Sequence, residues 1–374
     1  MTPDVNSVPG SAMPPVVADA EPDDRGSRRG GRGRLVSALV LSAAALLVTV
    51  MAGVALGPTV IPLDQVARYV GAAVTGGTIN ADEVPAYSII WQVRVPRVLL
   101  AVLVGAGLSV VGVAVQAMVR NALADPFVLG ISSGASVGAS AVVVFGLFAG
   151  LGIYAVSAAA LLGALGASVL VYLAARGRAG LTPLRLVLTG IALAYGFQAV
   201  TSLVVFLSPN YQAAATVLFW LLGSLGAATW GSLPPAAAGV LCCVVVLLRH
   251  ARALDVLSMG DETAASLGVD AMATRRWMFV LTSVVTGLLV AVSGAVGFVG
   301  LVMPHLVRML VGSGHRRVLA VAPLAGGCFM VWADIASRTF FSPQELPLGV
   351  VTALVGVPVF IALLRRHGYL FGGR

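Results

Sequence analysis

The sequence predicts an all-α polytopic membrane protein of about ten transmembrane helices joined by short loops. Three observations predict it. The 374 residues are 59% hydrophobic and only 10% charged, with mean hydropathy +0.98, whereas a soluble domain carries about 25% charge. Apolar runs long enough to span a bilayer recur along the chain, parted by short polar turns. Arginine is divided unequally between alternate turns, the asymmetry that sets orientation in a membrane.

Residues 1–34 are rich in Pro, Gly, Asp and Arg, lack an apolar period, and read as a disordered cytoplasmic tail. They end in RGSRRGGRGR, directly before the first span, Leu35 to Leu56. Arg28 and Arg29 raise the alternative of a twin-arginine signal. The run is long enough to span, so an anchor with its basic end in the cytoplasm is the simpler reading. Residues 35–374 read as one transmembrane domain.

Gly57 to Trp91 is an outer segment with an amphipathic piece, Leu63 to Val74. The organising span follows, Val98 to Val119, preceded by Arg94-Val-Pro-Arg97. Its length of about 33 Å crosses a bilayer core of about 30 Å. Asn121 to Pro126 then forms a polar turn on the far side. Phe127 to Phe148 returns outward, Tyr154 to Ala175 comes in, and Leu186 to Leu207 goes out. Ala213 to Leu222 is apolar but too short to span, which suggests a re-entrant or interfacial helix. Leu233 to Leu248 goes in, Trp277 to Val296 out, Phe298 to Val311 in, Val318 to Ile335 out and Leu348 to Leu364 in. On this path Arg120, Arg176, Arg178, Arg249, Arg252, Arg275, Arg276, Arg316, Arg317, Arg365 and Arg366 fall on the side of the N-terminal cluster. Little beyond Arg68, Arg94, Arg97 and Arg338 falls on the other. Both termini are therefore expected in the cytoplasm.

The formal charge of +8 comes entirely from arginine, since the chain has no lysine. That excludes a G-x-x-x-x-G-K-[ST] phosphate loop, so any ATP-driven transport needs an ATPase on another chain. Cys242, Cys243 and Cys328 lie in apolar runs and read as small buried hydrophobes. His250, His305, His315 and His367 show no metal-ligand spacing. No nucleophile–base set is apparent, and no catalytic or metal residue is expected. Ionisable groups within spans are costly and mark function. Asp334, with Arg338 four residues on, reads as an ion pair near the interface. Gln116 and His305 read as polar glue between helices. Glycines such as Gly105, Gly112, Gly134, Gly138 and Gly300 suit close helix packing, or a lining that leaves room for a bulky solute. Gly112…Gln116…Arg120 and Gly300…His305…Arg308 form a faint duplication.

The loop DVLSMGDETAASLGV, Asp255 to Val269, reads as two short helices around a turn, the first Asp255 to Met259 and the second Asp261 to Leu267, ended by Gly268. It suits a docking knob for a soluble partner; an ordinary solvated loop is the alternative.

Several pieces in order resemble one family: RVPR (94–97), GAGLSVVGVAVQAMVRNALADPFVLGISSGAS (105–136), LGSLG (222–226), GDETAASLGV (260–269), GAVGFVGLVMPHLVRMLVGSGHR (294–316), ADIASR (333–338) and ELPLGVVTALVGVPVFIALL (345–364). The chain resembles the permease subunit of FecCD-type (type II) ABC importers, which move ferric siderophores, haem and cobalamin. It departs at Ala122, where members usually carry a proline; losing it relaxes the turn.

The resemblance implies three sites. Arg94, Arg97 and Arg338 match outer arginines that receive acidic residues of a substrate-binding protein. Asn121 and Leu123 match one cytoplasmic gate, and Thr182 and Pro183 the other. Asp255, Met259, Gly260, Asp261, Glu262, Ala264, Ala265, Leu267 and Gly268 match coupling helices that seat in the ATPase. The implied partners are two ABC ATPase subunits, an extracytoplasmic binding protein, a second permease copy or paralogue, and membrane lipid, without nucleic acid. ATP and Mg belong to the partner ATPase, and no cofactor is expected in this chain. The expected function is import of an iron chelate across the cytoplasmic membrane, a ferric siderophore first and haem or cobalamin as alternatives. An ion-coupled secondary transporter is the reading from another class, and the scarcity of carboxylates within spans speaks against it.

Overall fold

A computed structural model describes residues 24–59, 61–177 and 180–366. Among these residues the chain is helical, with no β-strand. The helices are α1 (Asp24–Ala55), α2 (Leu63–Thr75), α3 (Val84–Ser88), α4 (Val95–Val119), α5 (Ile131–Phe145), α6 (Ala155–Ala175), α7 (Pro183–Phe206) and α8 (Tyr211–Leu221). They continue as α9 (Leu233–Arg249), α10 (Ala251–Ser258), α11 (Asp261–Ser266), α12 (Ala271–Ser293), α13 (Val299–Val311), α14 (His315–Thr339) and α15 (Leu348–Arg366).

Among the described residues, seven stretches, containing α1, α4, α6, α7, α9, α12 and α14, are long and apolar enough to cross a membrane unaided. The other expected spans are the shorter apolar helices α5, α13 and α15, and the expected interfacial piece is α8. The apolar residues α6 turns outward, among them Leu162, Leu170 and Leu173, suit a lipid-facing surface.

Some boundaries move. Most of the expected tail, residues 1–23, lies outside the described residues, as do Arg178 and His367. α1 starts at Asp24, so the first helix takes in residues 24–34 ahead of the expected span. α12 starts at Ala271, capped by Asp270, whose carboxylate accepts from the Ala273 amide at 2.9 Å.

α4 is the buried axis of the bundle: 83% of its most apolar window is inside. It is apolar all round, as a helix enclosed by others must be. Its glycines let neighbours approach to backbone contact. A Cβ at Gly105 would collide with the Gly326 carbonyl on α14, and one at Gly112 with the Gly300 carbonyl on α13. The glycines thus serve close packing. The two similar segments also touch: the Gln116 amide donates to the Gly300 and Leu301 carbonyls at 3.3 Å, and Arg308 donates to the Gln116 carbonyl.

The turn after α4 does not stay at the surface. Asn121 is exposed, but Ala124 and Pro126 are buried. A Cβ at Gly300 would lie 2.8 Å from Pro126 and 3.0 Å from the Leu108 carbonyl, near the middle of α4. The chain therefore folds back into the bundle before α5 begins. The turn before α13 does the same from the other end, which is why α5 and α13 are too short to span.

Candidate functional site

At one end of the bundle lie two short helices around a turn, α10 and α11, as the sequence pattern predicts, although α10 begins at Ala251 rather than Asp255. Gly260, at φ +119°, makes the bend between them, a backbone region that disfavours any side chain. Gly268 ends α11 in the left-handed region. Ala264 is buried against the bundle, while Met259 and Leu267 are 65% and 60% exposed. Glu262 and Ala265 are exposed as well. Two large apolar side chains held out on a small-residue helix pair suit a partner's pocket better than water.

The unit is wired into the bundle by Arg275, which the sequence reading counted only as a topology marker. Arg275 is 2% exposed and lies on α12. Its Nη2 donates to Asp261 Oδ1 at 2.8 Å, its Nη1 to the Leu181 carbonyl at 2.8 Å, and its Nε to the Met118 carbonyl at 3.3 Å. One rigid fork thus touches the start of α11, the residue before Thr182, and the last turn of α4. A carbonyl at a helix C-terminus carries partial negative charge, so the Met118 contact is favourable. Arg120 Nη1 lies 3.7 Å from the same Asp261 carboxylate.

Both predicted gate segments border this unit. Thr182 caps α7 and Pro183 is its first residue. Thr182 lines a cavity of about 470 Å³ with Asp261, Ala265, Gly268 and Arg275. Asn121 turns its own loop, its Oδ1 accepting the Leu123 amide at 2.8 Å. It lines a second cavity, of about 520 Å³, with Asp255, Met259, Arg308 and His315. Asp255 on α10 accepts from the His315 amide at 2.9 Å and lies 2.6 Å from His315 Nδ1. A carboxylate of α10 therefore caps the start of α14, a link absent from the sequence reading. Leu123 is half-buried beside Asn121.

The opposite end carries the three predicted arginines, and their placement differs from the expectation of free outer cations. Arg94, Arg97 and Arg338 are all buried. Arg97 lies in the first turn of α4; its Nε donates to Asp334 at 2.7 Å, and its Nη1 and Nη2 grip Glu345 at 2.8 and 2.9 Å. This two-point grip is the strong form of an arginine–carboxylate contact. Arg338 Nε lies 3.2 Å from Asp334 Oδ2, the i,i+4 pair read from the sequence. Arg94 donates to the Val54 and Ala55 carbonyls at 3.2 and 2.8 Å and to the Thr59 carbonyl, and Arg338 donates to the Gly53 carbonyl. The Gly53, Val54 and Ala55 carbonyls lie in the last turn of α1, which lacks helical donors, and Thr59 lies just beyond it. Glu345 is the partly exposed member, and the Arg97 hydrogen bond, more than burial, sets its pKa below the usual carboxylate value. The pairing was hidden because Arg97 and its carboxylates are 237 and 248 residues apart.

No group of three or more metal-ligating side chains occurs among the described residues.

Comparison with known proteins follows the same lines. The family model described as the FecCD transport family matches residues 45–366. The chain is 41% identical over 282 residues to the hemin transport system permease protein HmuU of Yersinia pestis, covering 74% of this chain and 84% of that one. It is 40% identical over 277 residues to the cobalamin import system permease protein BtuC of Halobacterium salinarum, covering 74% and 73%. Among solved structures it resembles an ABC transporter assigned to the metal-chelate type in an inward-facing conformation. The TM-score is 0.75 at 30% identity, over 89% of this chain and 99% of that one.

Proposed function

From the premise that the chain belongs to the FecCD transport family, we propose that it forms the membrane path for an iron chelate, a ferric siderophore. It is an ABC importer permease, a multi-pass protein of the cytoplasmic membrane without its own ATPase. The substrate is chosen on the metal-chelate type of the solved relative and the iron-bearing cargo named for the hemin permease. Haem is the second reading, favoured by the 41% identity to that permease.

One observation carries the mechanism: Arg275 holds Asp261, the Leu181 carbonyl and the Met118 carbonyl together. In this reading α10 and α11 face the cytoplasm, both termini lie on that side, and Met259 and Leu267 seat in an ATPase subunit. ATP binding in two such subunits shifts α11. Arg275 passes the shift to Thr182 and Pro183 on one side and to the end of α4, hence Asn121 and Leu123, on the other. Asp255 passes it to α14 through His315. A second permease copy or a paralogue completes the path. Arg94, Arg97 and Arg338 belong to the face that meets the binding protein. An acidic partner engages that face by replacing Glu345, its exposed carboxylate, on the Arg97 fork.

Uptake of radiolabelled ferric siderophores by cells with and without the chain tests the substrate, with hemin and cobalamin as competitors. Loss of iron uptake without the chain, indifferent to both competitors, supports the siderophore. Competition by hemin moves the cargo to haem, and unchanged iron uptake rejects an iron chelate.

A further inference from the structure

A groove parts α6 from α12 on the surface of the bundle. The two helices run antiparallel, and Tyr172 near the end of α6 stacks on Phe279 near the start of α12, ring centroids 6.4 Å apart. The cavity over this pair holds about 520 Å³, and its walls are almost wholly apolar. Val169 on one wall and Val280 and Val284 on the other are exposed, while Phe279 is buried beneath them. Leu170 and Leu173 of α6 are exposed beside it. A surface this apolar on two spanning helices suits lipid, not water. From Arg276 to Val284 the groove runs about 12 Å at 1.5 Å per residue, close to half of a bilayer core of about 30 Å. It is therefore about one leaflet deep.

The mouth of the groove is cationic. Arg276 lines it about one turn before Phe279, and Arg176 follows α6 about one turn beyond Tyr172. Both arginines are exposed, and among the described residues neither pairs with a carboxylate. Tyr172 stands between the apolar slot and these charges, the level at which tyrosine collects in membrane proteins. The neighbouring Arg275 reaches Asp261, so the mouth opens at the end that carries α10 and α11. A second copy of this chain matches the groove poorly. Arg249, Arg252, Arg316 and Arg317 crowd the same end, so a copy would set cations against cations. A phosphate beside two unpaired arginines, carried on an acyl chain, matches both the charge and the slot.

We infer that the groove between α6 and α12 is a binding site for an anionic phospholipid. One acyl chain lies over the Tyr172–Phe279 pair between Val169 and Val280, and Arg276 and Arg176 hold the headgroup phosphate. The leaflet is the cytoplasmic one, a point that rests on the reading of α10 and α11 as ATPase-facing.

The test adds phosphatidylglycerol or phosphatidylcholine to the purified, assembled transporter and measures retained lipid by native mass spectrometry. The wild type is expected to retain phosphatidylglycerol about tenfold or more above phosphatidylcholine. Arg276→Gln and Arg176→Gln should each weaken that retention about fivefold, the scale of one arginine at an anionic membrane surface. Val280→Trp fills the groove and should displace the retained lipid with both arginines still in place. All three positions are exposed, so these variants keep the packing of the bundle. Equal retention of the two lipids, or unchanged phosphatidylglycerol retention in either Arg276→Gln or Val280→Trp, overturns the inference. So does a disulfide between two copies carrying Val280→Cys, which would make the groove an interface between copies. The readout needs no cargo. A transporter that holds phosphatidylglycerol here but moves no iron chelate counts against the proposed function alone, and one that imports without a lipid in the groove counts against this inference alone.

Discussion

The Arg275 guanidinium donates to the Asp261 carboxylate at 2.8 Å from a position that is almost wholly buried. Asp261 opens α11, so the exposed helix at this end is tied to one of the most deeply buried side chains. The same fork reaches the carbonyls of Leu181 and Met118. Displacement of α11 therefore breaks these contacts or moves the segments at Leu181 and Met118, which the proposed mechanism assigns to the gates.

The close approach of α4 and α13 predicts that size at Gly112 is critical. Gly112→Ala drives a methyl into the Gly300 carbonyl, and overpacking of this kind costs roughly 1–3 kcal/mol. Gly166→Ala on α6 meets nothing within 4 Å and should be neutral or slightly stabilising, because alanine favours helix over glycine. Thermal unfolding in detergent compares the two; equal midpoints would contradict the packing account.

Arg97 separates charge from geometry. Arg97→Lys keeps the cation but cannot grip Glu345 at two points while reaching Asp334. Lower thermal stability is expected, together with weaker capture of the binding protein. Arg97→Glu places a third carboxylate beside Asp334 and Glu345 and should cost about 3–5 kcal/mol, as breaking a buried pair does. Loss of docking at full stability in both variants would show Arg97 to be a surface contact only.

Glu345 gives this end a pH dependence of known sign. Its pKa is depressed in the folded chain, chiefly by the Arg97 hydrogen bond. Its contribution is therefore present above the ordinary glutamate value of about 4.3 and is lost as pH falls through the lower, folded value. Glu345→Gln should flatten the decline of the melting temperature below about pH 5. Equal acid slopes in both proteins would remove Glu345 from the cluster.

Much of this fold was legible in the sequence, and much of the site was not. Apolar run length gave the helices, and Gly260 and Gly268 marked the coupling unit, because these are local properties. The fate of the arginines was not local. Arg97 meets partners more than two hundred positions away, and Arg275 looked like any inward arginine until α12 was placed beside Leu181. The fold-back of residues 121–130 was missed because a polar turn after an apolar run reads as surface. The contact of Gly112 with Gly300 was not legible either, because it depends on the packing of α4 on α13.

The exposed pair Met259 and Leu267 should decide assembly with the ATPase. Met259→Ser with Leu267→Ser removes most of the outward apolar surface of the unit without touching the Arg275 contacts. Co-purification of the ATPase subunit is expected to fall about tenfold or more, since each buried side chain of this size contributes on the order of 1.5–3 kcal/mol. Undiminished co-purification would place the ATPase contact elsewhere.

The most direct measurement is the number of substrate molecules moved per ATP hydrolysed by the reconstituted transporter carrying Arg275→Met. The link from α11 to both gates predicts that this ratio falls about tenfold or more while ATP is still hydrolysed, because the three polar contacts of the fork are lost together. A ratio equal to wild type, at equal protein stability, would contradict the claim that Arg275 couples the ATPase-facing helices to the gates.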